Sequence, residues 1–600
     1  MPQYKAPLRD MQFVLHELLN AEAHYATLPA FQGTVSRELV DQYLEAAADF
    51  CENELSPINQ SGDREGCTWN DGVVTTPTGF KEAYQKYIEL GFPSLSADEE
   101  FGGQALPNSL GIAISEMVGT ANWSWGMYPG LSHGAVRTIE HHGSDEQKAI
   151  YMPNLVSGVW TGTMCLTESH AGSDLGITRT KAEPNADGSY AISGEKIFIS
   201  AGEHDMAENI IHIVLARLPG APKGTKGISL FIVPKFHVNA DGSIGERNTV
   251  RCGSIEHKMG IHGNATCVIN FDQAKGYLIG PENRGLNCMF TFMNTARIGT
   301  AVQGLAASEG SFQGALAYAK DRLAMRSLSG PKAPEKEADP IIVHPAVRNM
   351  LLTQKAFAEG GRALVYLLAQ YADVVEKGET EEERKFADNI LSVLTPIAKA
   401  FLTETGYESA NHGVQVFGGH GFISEHGMEQ IVRDTRIACL YEGTTEIQAL
   451  DLLGRKVLQS QGAMLKQFTK IVHKFCEANK DNAAQAEFVA PLAALNQQWA
   501  DLTMKIGMKA MQNPDEVGAA AVDYMYFSGY VTLAYLWARM AQIAQEKLAA
   551  GTSEDAFYKA KVQTAQFYFK KILPRTKAHV DVIEGGLDVL MQMDVDAFAF

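Results

Sequence analysis

The carboxylate of Glu442 has the surroundings that most suggest chemistry. It lies between Tyr441 and Gly443, directly after an apolar run, so its side chain is expected to be partly buried. Buried carboxylates are rare unless they are paired or used. The following TEIQ, residues 445 to 448, fits a capping box with Thr445 as N-cap, which predicts that a helix begins after Glu442. Glu442 is therefore a candidate general base, and a surface or ion-paired glutamate is the alternative.

Two further segments combine hydroxyl-bearing and glycine residues that could hold a ligand. CLTESHAGSDLG, residues 165 to 176, offers N–H and O–H donors for a phosphate or the edge of a ring, with a turn-rich connection as the alternative. In KIFISAGEHD, residues 196 to 205, alternation places Phe198 and Ser200 on one side of a strand. An ordinary half-buried strand explains this second segment equally well.

Other motifs limit the kinds of site that the chain can contain. VQVFGGHGF, residues 414 to 422, lacks the GxGxxG order of a dinucleotide-binding turn and predicts a helix C-terminus with glycine at C′. Asp321 and Arg322 end a long helical pattern, where they could form a solvated charge pair. P-loop, HExxH and GxSxG motifs are absent from the sequence. The histidines lack a third ligand at useful spacing, so no metal site is predicted.

Charge and cysteine content restrict the partners and the compartment. The 600 residues carry a formal net charge of -19, which disfavours nucleic acid because phosphate binding needs a basic face. Eight cysteines are scattered without a CxxC pair, as expected for reduced thiols. The N-terminus lacks the regions of a signal peptide, and the longest apolar stretch, Tyr524 to Ala538, is too short to span a membrane. A cytoplasmic protein without a transmembrane segment is expected.

The elements that must position these residues follow an α, β, α, α order. Short β-branched segments separated by Gly, Pro, Asn and Asp are typical of an antiparallel β-domain, and helical periodicity dominates on both sides of it. The predicted fold class is mainly α with a central antiparallel β-domain. The predicted domains are an N-terminal helical domain with an N-terminal extension (1–160), a β-domain (161–282), a C-terminal four-helix-type catalytic domain (283–458) and an additional helical domain (459–600).

In this order, four motifs resemble those of the acyl-CoA dehydrogenase family. CLTESHAGSDLG is similar to the family's LTEPGAGSD, KIFISAGE to KxWITNG, VQVFGGHGF to VQxxGGxGF and LYEGTTEIQ to IYEGTxxIQ. The length, the DLLGRKVL segment and the last helical block resemble the longer branch that includes 3-methylmercaptopropionyl-CoA dehydrogenases and related long-chain enzymes. The resemblance implies the family's α, β, α fold with an additional helical domain, FAD as cofactor, and α,β-dehydrogenation of an acyl-CoA thioester.

The resemblance also implies catalytic roles. Glu442 would remove the α-proton of the thioester while the β-hydrogen leaves as hydride to N5 of FAD, giving a trans-2-enoyl-CoA. Some relatives carry the base immediately before the arginine that matches Arg297, but that residue is Ala296 here and cannot accept a proton. Arg297 is similar to an arginine that helps to position this end of the site. The backbone N–H of the base and a flavin ribityl hydroxyl would form the oxyanion hole, and Gly443 would let the backbone approach.

Cofactor and substrate contacts are implied in the same way. Thr167 and Ser200 match contacts to the flavin ring, Phe198 stands where a tryptophan often shields the ring, and Ser173 matches a position near the phosphates of FAD or CoA. The predicted cofactor-binding residues are Met164, Thr167, Ser173, Phe198, Ser200, Arg322, Gln415, Gly419, Thr444 and Glu446, and the predicted substrate contacts are Ser173, Tyr441 and Gly443.

The resemblance extends to partners. Arg322, Gln415 and Gly419 match residues that reach the FAD of a neighbouring subunit, which implies a homodimer. The family's threonine after this arginine is missing, and Arg326 is a candidate replacement. An electron-transferring flavoprotein is the implied acceptor for reduced FAD in β-oxidation.

Two alternatives and the substrate remain open. An acyl-CoA oxidase would pass its electrons to oxygen, and a non-catalytic acyl-CoA-binding flavoprotein would transfer none. Pocket depth depends on side chains from several helices. A 3-methylthiopropionyl group, a medium acyl chain and a long one therefore all fit the sequence.

Overall fold

The computed structural model describes residues 3–599, and the outermost residues of the first and last predicted domains lie outside this range. Within it, nineteen α-helices accompany eleven strands. The helices are α1 Leu8–Gln12, α2 Ala21–Ala26, α3 Arg37–Phe50, α4 Asn59–Glu65, α5 Phe80–Glu89, α6 Asn108–Ala121, α7 Trp123–His142, α8 Asp145–Val156, α9 Gly285–Asp321, α10 Pro345–Lys377, α11 Glu381–Phe417, α12 Met428–Arg436, α13 Thr445–Leu450, α14 Ala463–Asn479, α15 Ala486–Gln512, α16 Asp515–Ala550, α17 Asp555–Phe567, α18 Thr576–Gly585 and α19 Asp588–Met591. The strands are β1 Thr68–Asn70, β2 Val73–Thr75, β3 Trp160–Cys165, β4 Lys181–Pro184, β5 Tyr190–Ser200, β6 Asn209–Ala216, β7 Ser229–Pro234, β8 Phe236–Val238, β9 Ile244–Arg247, β10 Val250–Ile255 and β11 Thr266–Ile279.

The described chain divides into two compact units. The sheet unit comprises residues 3–6 and 43–299, and the helical unit comprises residues 7–42 and 300–599. Residues 7–42 thus group with the C-terminal half rather than with the rest of the predicted N-terminal domain. The four predicted domain ranges stay a prediction.

The sheet unit is built on seven strands in the order β3-β6-β7-β11-β5-β4, with β10 also paired to β11. All of these pairs are antiparallel except β3 with β6, which run parallel. The predicted central β-domain is confirmed, and the parallel pair departs from the expected antiparallel pattern.

Strand β6 is buried along its whole length because both of its faces are covered. Ile211, Ile213 and Leu215 pack in a cluster with residues of α7 and α8. Val214 and Ala216 point the other way, into a cluster formed with residues of β5, β10 and β11. This two-residue period within a continuously buried strand is typical of a strand in a middle layer.

The helical unit is organised around α10 and α11, which pack along each other, and α16, which packs against both of them and against α13. A Cβ added to Gly304 of α9 would lie 2.2 Å from Leu402 O of α11, and one added to Gly406 would lie 2.4 Å from Gly304 O. These glycines let α9 and α11 approach closely. The stretch Tyr524 to Ala538 lies inside α16, where all of its residues except the half-buried Tyr526 are buried. Among residues 3–599, no helix is long and apolar enough to cross a membrane.

Candidate active site

Glu442 lies in a short loop between the 3₁₀ turn Ile437–Cys439 and α13. Its side chain is half-buried, as predicted. The backbone φ is +56° at Glu442 and +86° at Gly443. A left-handed conformation costs a residue other than glycine about 1–2 kcal/mol, and such strain clusters at functional sites. We call residues 440–444 the base loop, after the candidate base Glu442 that it carries. Its left-handed backbone is strained and requires support from neighbouring residues.

Side chains from neighbouring elements hold the base loop. Gln448 Nε2 donates to Glu442 O at 2.8 Å, and the Tyr441 hydroxyl donates to Gln303 Oε1 on α9. A Cβ on Gly443 would lie 2.5 Å from Gln448 Nε2. Glycine at this position therefore serves both the left-handed backbone and the contact with Gln448.

Helix α13 is capped differently from the prediction. The N-cap is Thr444, whose side chain accepts from Ile447 N at 3.3 Å, so the prediction of Thr445 as N-cap is wrong. The left-handed pair at residues 442 and 443 leaves Thr444 with φ -60° and ψ 164°, the extended backbone that an N-cap residue requires. Glu446, a predicted cofactor contact, lies exposed in the first turn of α13.

Four of the predicted flavin contacts come together in the sheet unit. Met164 belongs to β3 and Thr167 follows it, while Phe198 and Ser200 lie at the end of β5. Ile197 N donates to Thr167 O at 2.9 Å, which places these segments side by side. Phe198 has φ +60° and is 59% exposed. An aromatic ring held open to solvent by a left-handed backbone is unusual for a structural strand residue.

A buried ion pair that the sequence analysis did not predict joins the same two segments. Glu168 accepts from Lys196 Nζ at 2.9 Å, from the Thr180 hydroxyl at 2.7 Å and from Arg179 N at 2.8 Å. Burial acts to raise the pKa of Glu168, but the charge of Lys196 and these hydrogen bonds outweigh it and lower the pKa to about 2. The pair fixes the start of the loop on which Ser173 lies exposed.

Arg297 lies on α9 within the sheet unit. Its side chain is buried, and its guanidinium carbon lies 6.0 Å from the centroid of the Phe290 ring. Ala296 precedes it. Buried arginines in proteins are usually paired or bound to a ligand, so the predicted role of Arg297 in positioning stays a prediction.

The helical unit contains a cleft of about 440 Å³ near the C-terminal ends of α9 and α11. Arg322 and Gly419, both predicted cofactor contacts, line it. Tyr318 and Phe417 line it too, and their rings stack with centroids 4.0 Å apart. The Tyr318 hydroxyl also bonds to His420 Nδ1 at 2.9 Å. The cleft therefore combines an aromatic wall, a guanidinium group and glycine backbone.

The flanks of this cleft bear on three further expectations. Helix α11 ends at Phe417 with Gly418 at φ +59°, which confirms the predicted helix C-terminus. Gln415 is exposed on the last turn of α11, outside the cleft lining. Arg326 donates to Ala333 O at 2.8 Å and pairs with Asp339 at 3.2 Å, so its guanidinium binds groups within its own loop.

No cluster of three metal-ligating side chains occurs in the described part of the chain.

Comparison with known proteins relates these sites to one family. Four family models match consecutive parts of the chain: acyl-CoA dehydrogenase N-terminal domain at 38–159, middle domain at 163–274, C-terminal domain at 283–458, and acetyl-CoA dehydrogenase C-terminal like at 468–594. The chain belongs to the acyl-CoA dehydrogenase family. Members of this family are FAD-dependent oxidoreductases.

Similar acyl-CoA dehydrogenases cover nearly the whole chain. It is 41% identical to the 3-methylmercaptopropionyl-CoA dehydrogenase of Ruegeria pomeroyi over 98% of this chain and 99% of the relative. It is 34% identical to the broad-specificity linear acyl-CoA dehydrogenase FadE5 of Mycobacterium tuberculosis over 100% of both chains. The structure of an acyl-CoA dehydrogenase complexed with FAD from Bacillus anthracis is similar in fold, with a TM-score of 0.74, 21% identity, and coverage of 95% of this chain and 91% of that one.

The residues of each unit fit a part of FAD, the cofactor of acyl-CoA dehydrogenases. In the sheet unit, the exposed Phe198 ring offers a face for an isoalloxazine ring, and Ser200 of the same strand and Thr167 of the adjoining segment carry hydroxyl groups that can donate hydrogen bonds. In the helical unit, Arg322 suits a phosphate, and a Cβ on Gly419 would meet no atom within 4 Å, so backbone borders open space.

Proposed function

We propose that this acyl-CoA dehydrogenase oxidises an acyl-CoA thioester to the trans-2-enoyl-CoA with Glu442 as its base. The observation that carries the proposal is the base loop, in which a half-buried carboxylate sits on a left-handed backbone. Ala296 at the alternative position of the base has no group that could take a proton. When bound, FAD supplies the acceptor for the β-hydrogen, which leaves as hydride.

The chain's own part in the reaction is to move one proton and to stabilise one charge. The Glu442 carboxylate takes the α-proton, and negative charge develops on the thioester oxygen. A carboxylate has a reference pKa of about 4.3 and is a weak base in water, so the site must exclude water and meet the developing charge with fixed donors. The backbone N–H of Glu442 is the proposed donor, and Arg297 the residue that positions this end of the site.

The remaining predicted residues are proposed to bind cofactor and substrate. The exposed face of Phe198 and the hydroxyls of Thr167 and Ser200 support a flavin-binding role, and Tyr441 and Gly443 flank the base. The proposed cofactor-binding set is Met164, Thr167, Ser173, Phe198, Ser200, Arg322, Gln415, Gly419, Thr444 and Glu446, and the proposed substrate contacts are Ser173, Tyr441 and Gly443.

Two acyl groups have support as the substrate. The similarity to the Ruegeria pomeroyi enzyme over nearly the whole chain favours 3-methylthiopropionyl-CoA, and the similarity to the broad-specificity linear enzyme favours straight-chain acyl-CoAs. We propose broad fatty acyl-CoA activity that includes the methylthiopropionyl thioester. A medium and a long chain both belong in the test below.

An anaerobic titration of the FAD-loaded protein tests the reaction, the base and the substrate together. Acyl-CoAs of graded length and 3-methylthiopropionyl-CoA are added while the visible flavin absorbance is followed. Wild-type protein is expected to bleach with at least one length class, and Glu442→Gln to bleach about a thousandfold more slowly with FAD still bound, since it lacks the general base. Glu382→Gln, which changes an exposed glutamate in the first turn of α11, is the matched control and should behave as wild type.

Each other outcome has a distinct meaning. Unchanged bleaching in Glu442→Gln would place the base elsewhere. Rapid oxygen consumption without an added acceptor would favour an acyl-CoA oxidase, and the absence of bleaching by every thioester would favour a non-catalytic flavoprotein.

An electron-transferring flavoprotein is the proposed acceptor, and a homodimer is the proposed assembly. The dimer is supported by the cleft that Arg322 and Gly419 line, because the family resemblance assigns these residues to the FAD of a neighbouring subunit. Sedimentation equilibrium is expected to give twice the chain mass of 65.3 kDa. A mass of four chains would contradict this assembly.

A further inference from the structure

A fully buried lysine holds the base loop from the side of α11. Lys399 has no exposed surface, and its ammonium donates to Ala438 O at 2.8 Å and to Gly443 O at 2.5 Å. These carbonyls lie on either side of Glu442 in sequence. An ammonium group without hydrogen bonds would be costly to bury, and here the backbone of the base loop and of the 3₁₀ turn before it supplies the acceptors. Lys399 and the loop therefore depend on each other.

A carboxylate on the same helix holds the other end of the loop. Glu404 Oε1 accepts from the Thr445 hydroxyl at 2.6 Å. Thr445 is the first residue of α13 and is buried. Because Lys399 binds the loop before α13 and Glu404 binds the start of α13, two side chains of one rigid helix fix both ends of the turn that carries Glu442.

Tyr526 of α16 contacts α11 at Phe401, which lies between Lys399 and Glu404 in sequence. Burial, together with the charge of the nearby Glu404, raises the pKa of Tyr526 above its usual range. The Tyr526 ring meets Phe401 edge-on with centroids 6.3 Å apart, and it stacks on His579 with centroids 5.0 Å apart. The contact with Phe401 packs α16 against this part of α11.

We propose that Lys399 and Glu404 are positioning residues for the base, on a part of α11 against which Tyr526 of α16 packs. The inference rests on the proposed function of Glu442. The left-handed backbone of Glu442 and Gly443 would relax if the contacts at its two ends were lost. Displacement of a catalytic group by about 1 Å can cost a hundredfold in rate, so loop support has a large effect on proton removal.

The test separates proton removal from the rest of the reaction. The FAD-loaded protein is incubated in D₂O with a 3-thiaacyl-CoA, in which sulfur replaces the β-methylene so that no hydride can leave. Glu442 can then only take an α-proton and return a deuteron, and mass spectrometry measures this exchange. The anaerobic bleaching rate with a true substrate, the content of bound FAD and the thermal midpoint are measured on the same samples.

Two variants each remove one support, and a third keeps the acceptor that one of them removes. Lys399→Met is expected to lower exchange and bleaching about 100-fold, and Glu404→Ala about tenfold, with bound FAD retained. Glu404→Gln keeps an oxygen acceptor for Thr445 and should restore most of the rate. Tyr568→Phe, which removes a buried hydroxyl bonded to Tyr530 O at 2.8 Å, is the matched control and should leave both rates unchanged.

Two results would overturn the inference. Wild-type exchange rates in Lys399→Met and Glu404→Ala would do so, as would losses that only follow a loss of bound FAD. If Lys399→Met does not fold, the comparison of Glu404→Ala with Glu404→Gln decides the question. Failure of the proposed function looks different, because wild-type protein and Glu442→Gln would then exchange alike.

Discussion

At the scale of single residues, charge and burial act in opposite directions on the pKa of Glu168, which is paired with Lys196. The pKa of Glu168 is lowered to about 2 against the effect of burial, chiefly by the Lys196 charge and by hydrogen bonds. A carboxylate whose pKa is lower in the folded chain than in the unfolded chain stabilises the fold above its unfolded pKa, about 4.3. That stabilisation is lost as pH falls from there toward 2.

Glu168→Gln is therefore expected to change both the stability and its pH dependence. Near neutral pH, loss of the carboxylate leaves Lys196 buried without its counter-charge, which costs about 3 kcal/mol. Below pH 5 the thermal midpoint of wild type should fall more steeply than that of the variant, so the two curves converge. Calorimetric scans between pH 2.5 and pH 7 cover most of this pH window and measure the difference.

An exposed pair in the same unit provides the control. Lys181 and Glu183 are 3.0 Å apart and more than half exposed, so Glu183→Gln should change stability by less than about 1 kcal/mol. Equal losses in Glu168→Gln and Glu183→Gln, or parallel pH curves for wild type and Glu168→Gln, would show that the buried pair contributes no more than a surface one.

Residue patterns were sufficient to single out Glu442 but not its supports. A carboxylate between an aromatic residue and a glycine, after an apolar run and before a capping pattern, is a local signal that a sequence displays. Lys399 and Glu404 are charged residues within a long helical pattern, where solvent exposure is the usual outcome. Lys399 and Glu404 bind protein groups rather than water because the base loop crosses α11. That crossing is set by tertiary packing, which a local sequence pattern does not reveal.

At the scale of elements, local patterns predicted the types of structure and left the partners open. Short β-branched segments indicated a β-domain, and β6 is one of these segments. Nothing local distinguishes a strand that pairs parallel from one that pairs antiparallel, so the parallel alignment of β3 with β6 was outside the prediction. The same limit applied to α13. Because residues 442 and 443 are left-handed, its N-cap is Thr444 and not the predicted Thr445.

Close approach of helices is a further element-scale feature that local patterns do not reveal. Gly304 and Gly406 interrupt long helical segments, where glycine costs about 1 kcal/mol relative to alanine. Backbone oxygens of the facing helix lie where each Cβ would be. This close packing of α9 and α11 accompanies the hydrogen bond from Tyr441 to Gln303. The glycines therefore lower the stability of their own helices but allow packing that supports the base loop.

At the scale of the whole molecule, the α, β, α, α order was predictable because each block has its own periodicity. The grouping of residues 7–42 with the C-terminal half was not, since it depends on contacts between residues hundreds of positions apart. Asp10 of α1 binds both Arg362 of α10 and Lys561 of α17. Arg362 also pairs with Glu309 at 2.8 Å and Lys561 with Glu359 at 2.7 Å. This buried cluster joins the N-terminal segment to α9, α10 and α17.

Removal of the charge on Asp10 should loosen the N-terminal segment before the rest of the helical unit. In Asp10→Asn, the fully buried Arg362 and the almost fully buried Lys561 keep their charges but lose the carboxylate that they share, and breaking a buried pair in this way costs about 3–5 kcal/mol. The urea midpoint should fall, and limited proteolysis should cut within residues 7–42 at protease levels that leave wild type intact. Glu584→Gln breaks the exposed pair with Lys505 in the same unit and should leave both readouts close to wild type. If Asp10→Asn unfolds at the wild-type urea midpoint and its N-terminal segment resists proteolysis, apolar packing rather than the ionic cluster holds that segment in place.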